Sequence, residues 1–358
     1  MRPTEVRTGK RIADWDHAGG FPWLPSRGVF MKLCIIGVRG HHNYVFDDIK
    51  ILPEVDIAGI ATGCPGDDIS GLLGHCKAAG FAPAIYDDHL AMLDELRPDA
   101  VVINGPFSRH AQMCVEALER GIPVLCEKPI ALTLPDLERV EAAYSKAGGK
   151  LLISMVGLRY DPCFMTAWKA VQDNAVGKVK LIHAQKSYKL GTRPDHYKTR
   201  SEYGGTILWV GSHALDWIYW FSGSGFDSIT ATHTAEDNFG NGELEIAAQC
   251  LCLMKNGVQA SASLDYLRPA TASTHGDDRV RIAGTTGVIE VMGGRVTLID
   301  AGGERELVPS ENSGIFADFV RHVEGLSTAM VNANDTFALT RACLLARSSA
   351  DSGRIMQF

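Results

Sequence analysis

Met31-Lys32-Leu33-Cys34-Ile35-Ile36-Gly37-Val38-Arg39-Gly40-His41-His42 is an apolar run closed by a glycine turn. A run of Leu, Ile and Val this short, bounded by glycine, reads as a strand buried on both faces. Similar runs return at 55–61, 100–104 and 123–127, and helical patterns lie at 90–96, 108–120 and 134–147. Pro135 stands near the start of the last of these, where a missing N–H costs nothing. Strand and helix in this alternation describe a Rossmann-type α/β domain, a doubly wound parallel sheet with helices on both faces, over about 31–154.

Residues 1–30 are polar, broken by Gly and Pro, and lack the apolar core of about 7–15 residues that a secretory signal needs. They are expected to be a flexible extension, with Met31 a candidate natural start. Beyond Arg159 the pattern changes to strands at 178–188, 228–234, 243–254, 258–267, 280–283, 288–292 and 296–300. Asn256-Gly257 and Gly293-Gly294 read as two-residue hairpin turns. Helical runs at 207–221, 315–324 and 335–349 complete a second domain over 155–358. That domain is α+β, an open and mostly antiparallel sheet with helices on one face.

A length of 358 residues suggests two domains. The 35 basic and 42 acidic side chains leave a net charge of −7 without long like-charge runs, which speaks against a nucleic-acid partner. The most apolar stretch, 204–223, carries His213 and Asp216, so it does not read as a membrane span. Nine cysteines with no C-x-x-C pair suggest free thiols in a reducing, cytoplasmic compartment. Cys250 and Cys252 share a strand face and read as core. No histidine cluster has metal-ligand spacing, and no metal is expected.

The glycine turn bears on cofactor chemistry. A dinucleotide site asks for G-x-G-x-x-G after the first strand, so that backbone can approach a pyrophosphate closely. Gly37 fits, Arg39 and His42 stand at the second and third glycine positions, and Gly40 relieves part of the crowding. An ordinary strand-to-helix turn would read the same way. At the end of the second strand, where an acid would bind the NAD ribose, stands Thr62. With no carboxylate there and Arg39 nearby, NADP is expected to be tolerated or slightly favoured, although a solvated Arg39 is the plainer reading. Asn104-Gly105-Pro106-Phe107-Ser108-Arg109-His110 and Cys126-Glu127-Lys128-Pro129 both fall at carboxyl ends of parallel strands, where such sheets place ligands.

Those two segments resemble the glucose–fructose oxidoreductase, inositol dehydrogenase and rhizopine-catabolism (Gfo/Idh/MocA) family. The resemblance continues through Leu158-Arg159-Tyr160-Asp161-Pro162, through Gly204-Gly205 with Gly211-Ser212-His213-Ala214-Leu215-Asp216, and through the closing 346–353. It implies reversible NAD(P)-linked oxidation of a secondary alcohol on a sugar, sugar derivative or cyclic polyol. Lys128 would hydrogen-bond the reacting oxygen and His213 would exchange the proton. Asn104, Pro106, His110, Glu127 and Lys128 would border the cofactor, and the last helices would return to the first domain. The resemblance also implies a homodimer or homotetramer paired through the open sheets.

One position departs from the family. Four residues before His213, on the same helical face, the family usually carries an acid and this chain has Trp209. An indole offers only an N–H donor. Asp216 is a candidate replacement, or simply an acid bonded within its own helix or to a neighbouring loop. Trp209 is expected to form a wall against which sugar C–H faces pack. Tyr160, Arg193, Asp195 and Tyr197 are candidate substrate contacts. Two other functions compete: glycoside cleavage with a recycled NAD, and a non-catalytic sugar- or nucleotide-binding relative.

Overall fold

The computed structural model describes residues 31–358 apart from Ser310 and Asn312. The extension expected over 1–30 lies outside the described residues. The first half runs β1 (Met31–Ile36), α1 (Asn43–Asp48), β2 (Val55–Ala61), α2 (Ser70–Ala78), β3 (Ala84–Tyr86), α3 (His89–Leu96), β4 (Ala100–Ile103), α4 (His110–Glu119), β5 (Val124–Cys126), α5 (Leu134–Lys146) and β6 (Leu152–Ser154). Its strands form one sheet in the order β3-β2-β1-β4-β5-β6, every pair parallel. All residues of β4 and β5 are buried, because helices cover both faces of a parallel sheet. The order reverses between β1 and β4, the point at which sheets of this kind place their ligand crevice, at the strands' carboxyl ends.

The second half runs α6 (Pro162–Gln172), β7 (Val179–Tyr188), α7 (Arg200–Tyr203), α8 (Thr206–Trp209), α9 (Gly211–Ser222), β8 (Phe226–Thr234), β9 (Ala247–Met254), β10 (Gln259–Asp265), β11 (Gly276–Gly284), β12 (Gly287–Met292), β13 (Arg295–Asp300), β14 (Gly303–Leu307), α10 (Ile315–Val323), α11 (Ala333–Ser352) and β15 (Met356–Gln357). Its sheet has the order β14-β13-β12-β11-β7-β10-β9-β8-β15. One pair, β7 with β10, is parallel and the rest are antiparallel, in keeping with the mostly antiparallel sheet expected. The strand β10 returns antiparallel to β9 and thereby comes to lie parallel to β7. Burial alternates along β9, whose Cys250 and Cys252 face inward while Leu251 and Leu253 stand exposed. The helices α6, α9 and α11 pack on the sheet. From α11, Thr336 accepts the Ser154 N–H and Arg341 pairs with Glu141, which ties the last helix to the first sheet.

Two local expectations need correction. Gly293 and Gly294 do form a two-residue turn, both with positive φ, but the Asn256-Gly257 hairpin has a three-residue connection. There Gly257, at φ +81°, takes the left-handed position that follows such a turn. The single helix expected over 207–221 is interrupted at Val210. The Trp209 carbonyl at the break accepts from Lys128 Nζ at 2.7 Å and from the Ser212 hydroxyl at 2.9 Å.

Candidate active site

The first turn is built on backbone proximity. Gly37 and Gly40 have φ of +80° and +74°, a region that strains other residues. A Cβ on Gly37 would lie 2.4 Å from the Asn104 carbonyl oxygen, and one on Gly40 would lie 2.1 Å from Glu127 Oε2. Gly40, although outside the G-x-G-x-x-G spacing, is therefore the second glycine that the turn requires. Arg39 N–H donates to the Asn104 carbonyl at 2.7 Å, and Asn104 Nδ2 donates back to the Arg39 carbonyl at 2.8 Å. Asn104 Oδ1 is buried without a partner among the described residues. A crevice lined by backbone with an orphaned acceptor fits a dinucleotide.

Glu127 and His110 brace this crevice. The buried Glu127 carboxylate accepts the backbone N–H of His41, lies 2.7 Å from His41 Nδ1 and takes the Lys128 N–H at 2.8 Å. Burial pushes this acid up, and the contact with His41 more than offsets it, leaving it below its ordinary value. His110 places its two ring nitrogens 2.9 Å from the carbonyls of Pro129 and Gly105. It spans the two loops, and Pro106 is buried beside it. Glu127 and His110 are thus engaged by the protein, and they brace the loops that would border the cofactor.

At the far end of the crevice Thr62 donates its hydroxyl to the Asp87 carbonyl at 3.2 Å. Thr62 does hold the strand end in place of an acid, but a carboxylate stands in the loop beyond it. Asp67 accepts from the N–H groups of Gly63 and Cys64, both at 3.0 Å, and lies 3.8 Å from Arg39. Arg109 donates to the Gly63 carbonyl at 2.8 Å. An acid held by the turn's own N–H groups could have been suspected from Gly63-Cys64-Pro65-Gly66-Asp67, where Gly and Pro announce a turn. The His42 ring meets His75 edge-on, with its centre 5.9 Å away.

The reactive groups gather where β5 ends and α9 begins. Lys128 is 2% exposed, and its Nζ lies 3.2 Å from the centre of the Trp209 indole. Burial lowers the ammonium to about 7, with Glu127 opposing and Lys186 adding to the shift. Phe107 and His41 both stack on the indole, with centres 4.7 and 5.6 Å away. This corrects the expected sugar-packing wall, because the indole's faces are already engaged and it acts on the site as a cover over Lys128. His213 is 2% exposed, and its Nδ1 has no partner among the described residues. Burial first, and then Lys128 and Lys186, hold it well below its ordinary value, so it is neutral at pH 7. We expect Trp209→Ala to rehydrate Lys128 and return its ammonium toward its ordinary value. The corresponding limb of the pH–rate profile should move up by more than one unit, and an unmoved limb would remove the indole from this role.

Several sequence candidates lie elsewhere. The Asp216 carboxylate is bound by Arg159 through Nε at 2.9 Å and Nη2 at 2.6 Å, with both side chains buried. It is thus bonded to a neighbouring segment, one of the two readings that the sequence left open. The Tyr160 hydroxyl donates to Asp318 at 2.5 Å, which ties it to α10. Asp195 is almost fully exposed and pairs with Lys198. The Arg193 guanidinium lies 4.6 Å from the Tyr266 ring centre and 5.5 Å from that of Tyr197, whose ring in turn meets the Trp209 indole edge-on at 6.0 Å. Sequence reasoning missed Lys186, Asp278, Tyr44 and His41 as site residues, since none carries a motif.

Comparisons with known proteins agree with this geometry. Residues 71–157 match the profile described as an oxidoreductase family with an NAD-binding Rossmann fold, and residues 164–290 match the GFO/IDH/MocA C-terminal domain. A solved Thermotoga maritima structure described as an oxidoreductase is 45% identical, covers 91% of this chain and 100% of its own, and superposes with a TM-score of 0.89. An aldose-aldose oxidoreductase from Caulobacter crescentus, complexed with glycerol, shares the fold at 20% identity and a TM-score of 0.78, over 92% and 100% of the two chains. Inositol 2-dehydrogenase 1 of Saccharopolyspora erythraea is 24% identical over 266 residues, 74% of each chain. This chain belongs to the Gfo/Idh/MocA family of NAD-binding oxidoreductases.

Proposed function

We propose that this oxidoreductase interconverts a secondary alcohol and a ketone on a sugar, sugar derivative or cyclic polyol, with NAD(P) as cofactor. The observation that carries the reading is that the buried Lys128 and the buried His213 gather around the stacked His41 and Trp209 rings. Lys128 Nζ lies over the indole, and His213, whose Nδ1 has no partner among the described residues, meets His41 edge-on at 6.4 Å. Gly37, Gly40, Asn104 and Pro106 would hold the cofactor, which when bound supplies a hydride acceptor. Lys128, with an ammonium lowered to about 7, is the group able to take the alcohol proton at Nζ near neutrality and return it in the reverse direction. His213 stays neutral and holds the same oxygen, a division of labour different from that first expected of the pair. The decisive experiment is NAD(P)H fluorescence during a screen of sugars and inositols. Net reduction supports the reading. Cleavage of a glycoside with no net NADH would replace it with recycled-cofactor chemistry, and no nucleotide binding would overturn it.

The adenosine end should accept either nicotinamide cofactor. Arg39 attracts a 2′-phosphate and Asp67 repels it, so the NAD and NADP dissociation constants should lie within about tenfold of each other. Asp67→Asn removes the repulsion and should shift that ratio toward NADP by roughly 10-fold or more, as loss of a charged interaction does. A hundredfold preference for NAD in the unaltered protein sinks this account. Leu251 and Leu253, exposed on the uncovered face of the second sheet, support a homodimer or homotetramer built on that face, readable as mass by light scattering.

A further inference from the structure

The family's acid is replaced by Trp209, and Asp216 is locked to Arg159. A different carboxylate faces the site from the second sheet. Asp278 on β11 stands directly opposite Lys186 on β7 in the antiparallel register, and the two side chains form a close ion pair. Lys186 is buried, which a lysine tolerates only with a partner. Its Nζ lies 4.8 Å from the centre of the Tyr188 ring and 5.5 Å from that of Trp217, one helical turn beyond His213. The pair therefore sits against the face of α9 that carries His213.

One oxygen of the pair is left over. Asp278 Oδ2 takes the lysine, while Oδ1 is buried and has no hydrogen-bond partner among the described residues. A buried carboxylate oxygen without a donor is costly unless a ligand supplies one. The surroundings agree: Lys186 lies near enough to Lys128 and His213 to disfavour their charged forms. After burial, Asp278 in turn raises the phenol of Tyr188. The pair thus lies against the Tyr188 and Trp217 rings of the second half of the chain.

We propose that Asp278 and Lys186 read the substrate's hydroxyls, the carboxylate accepting from one hydroxyl and the ammonium donating to the oxygen next to it. An acceptor and a donor side by side on rigid strands match the vicinal diol of a polyol. The role that the family gives to an acid on the catalytic helix is here taken by an acid on the facing sheet. The inference rests on the polyol reading above, and it explains how Trp209 can stand where an acid is usual.

The test measures binding as well as turnover. The NADH-bound protein is titrated with myo-inositol, glucose, xylose and glycerol, and then with monodeoxy analogues of the best-bound member. Asp278→Asn should weaken that polyol roughly 10- to 100-fold, the range of a charge-assisted hydrogen bond, while NADH affinity stays unchanged. One deoxy analogue should lose a similar factor in the unaltered protein and lose nothing further in Asp278→Asn, a coupling that a purely structural ion pair does not produce. Should Asp278→Asn fail to fold, Lys186→Met combined with Asp278→Leu replaces the pair by apolar side chains and is read the same way. Polyol affinity unchanged in the folded variant, or no coupling to any deoxy analogue, overturns the inference and leaves the dehydrogenase reading standing. Polyol binding with the expected coupling but no turnover supports the inference and overturns the reading. No binding of any of the four polyols overturns both.

Discussion

Lys128→Ala is expected to lower turnover by roughly 100- to 1,000-fold while NAD binding and the fold remain intact. The lysine's ammonium makes one hydrogen bond among the described residues, to the Trp209 carbonyl, and that oxygen keeps the Ser212 hydroxyl when the lysine is gone. Its burial also costs stability. The folded-state ammonium lies at about 7 and the unfolded one near its ordinary 10.5. The native state therefore binds fewer protons than the unfolded state between those values. The cost is fully present below about pH 7 and fades as pH rises to about 10.5. Lys128→Met should accordingly raise unfolding free energy at pH 7 by an amount on the order of a few kcal/mol, while abolishing most activity. Steady-state kinetics, NADH titration and urea denaturation of the two variants check the three parts separately. Turnover like that of the unaltered protein would take Lys128 out of the mechanism.

Asp216→Ala should act on stability, with a loss of about 3–5 kcal/mol. The substitution strands the Arg159 guanidinium, which is 2% exposed, with Asp335 at 3.0 Å as its remaining acid. An uncompensated buried cation is among the few single changes that cost this much. Arg159→Met combined with Asp216→Leu should recover much of the loss, since the apolar pair leaves no charge behind. Urea denaturation midpoints at constant slope decide it. A loss below about 1 kcal/mol, or a folded Asp216→Ala whose defect is confined to KM, would return Asp216 to the substrate site.

These two residues show how far pattern reaches. Lys128 was legible because a lysine between a buried strand and a proline has few places to point. His213 was legible through its glycine-led frame. Asp216 carried the same frame and its two readings stayed open, since nothing in 211–216 announces Arg159, which approaches from the segment 157–160. Asp67 was missed because the carboxylate was sought at the strand end and stands in the loop beyond it. The short elements α2, β3, β6, α6, β14 and β15 escaped notice for a related reason: three-residue strands such as β3 and β6 are too brief to show a period.

The sequence by itself determined the parallel sheet and the mostly antiparallel second sheet, which follow from apolar periodicity and turn chemistry, and its likeness to the family singled out Lys128 and His213. Tertiary structure alone decided what surrounds those residues. It stacked Trp209 between Phe107 and His41 over Lys128, turned Glu127 onto His41, set Asp67 against Arg39 and brought Lys186 with Asp278 to the catalytic helix. Each of these joins chain segments far apart in sequence, and no local pattern encodes such a meeting. The proton affinities of the site, and so its chemistry, depend on burial and on charges from distant elements, which exist only once the two sheets have closed on each other.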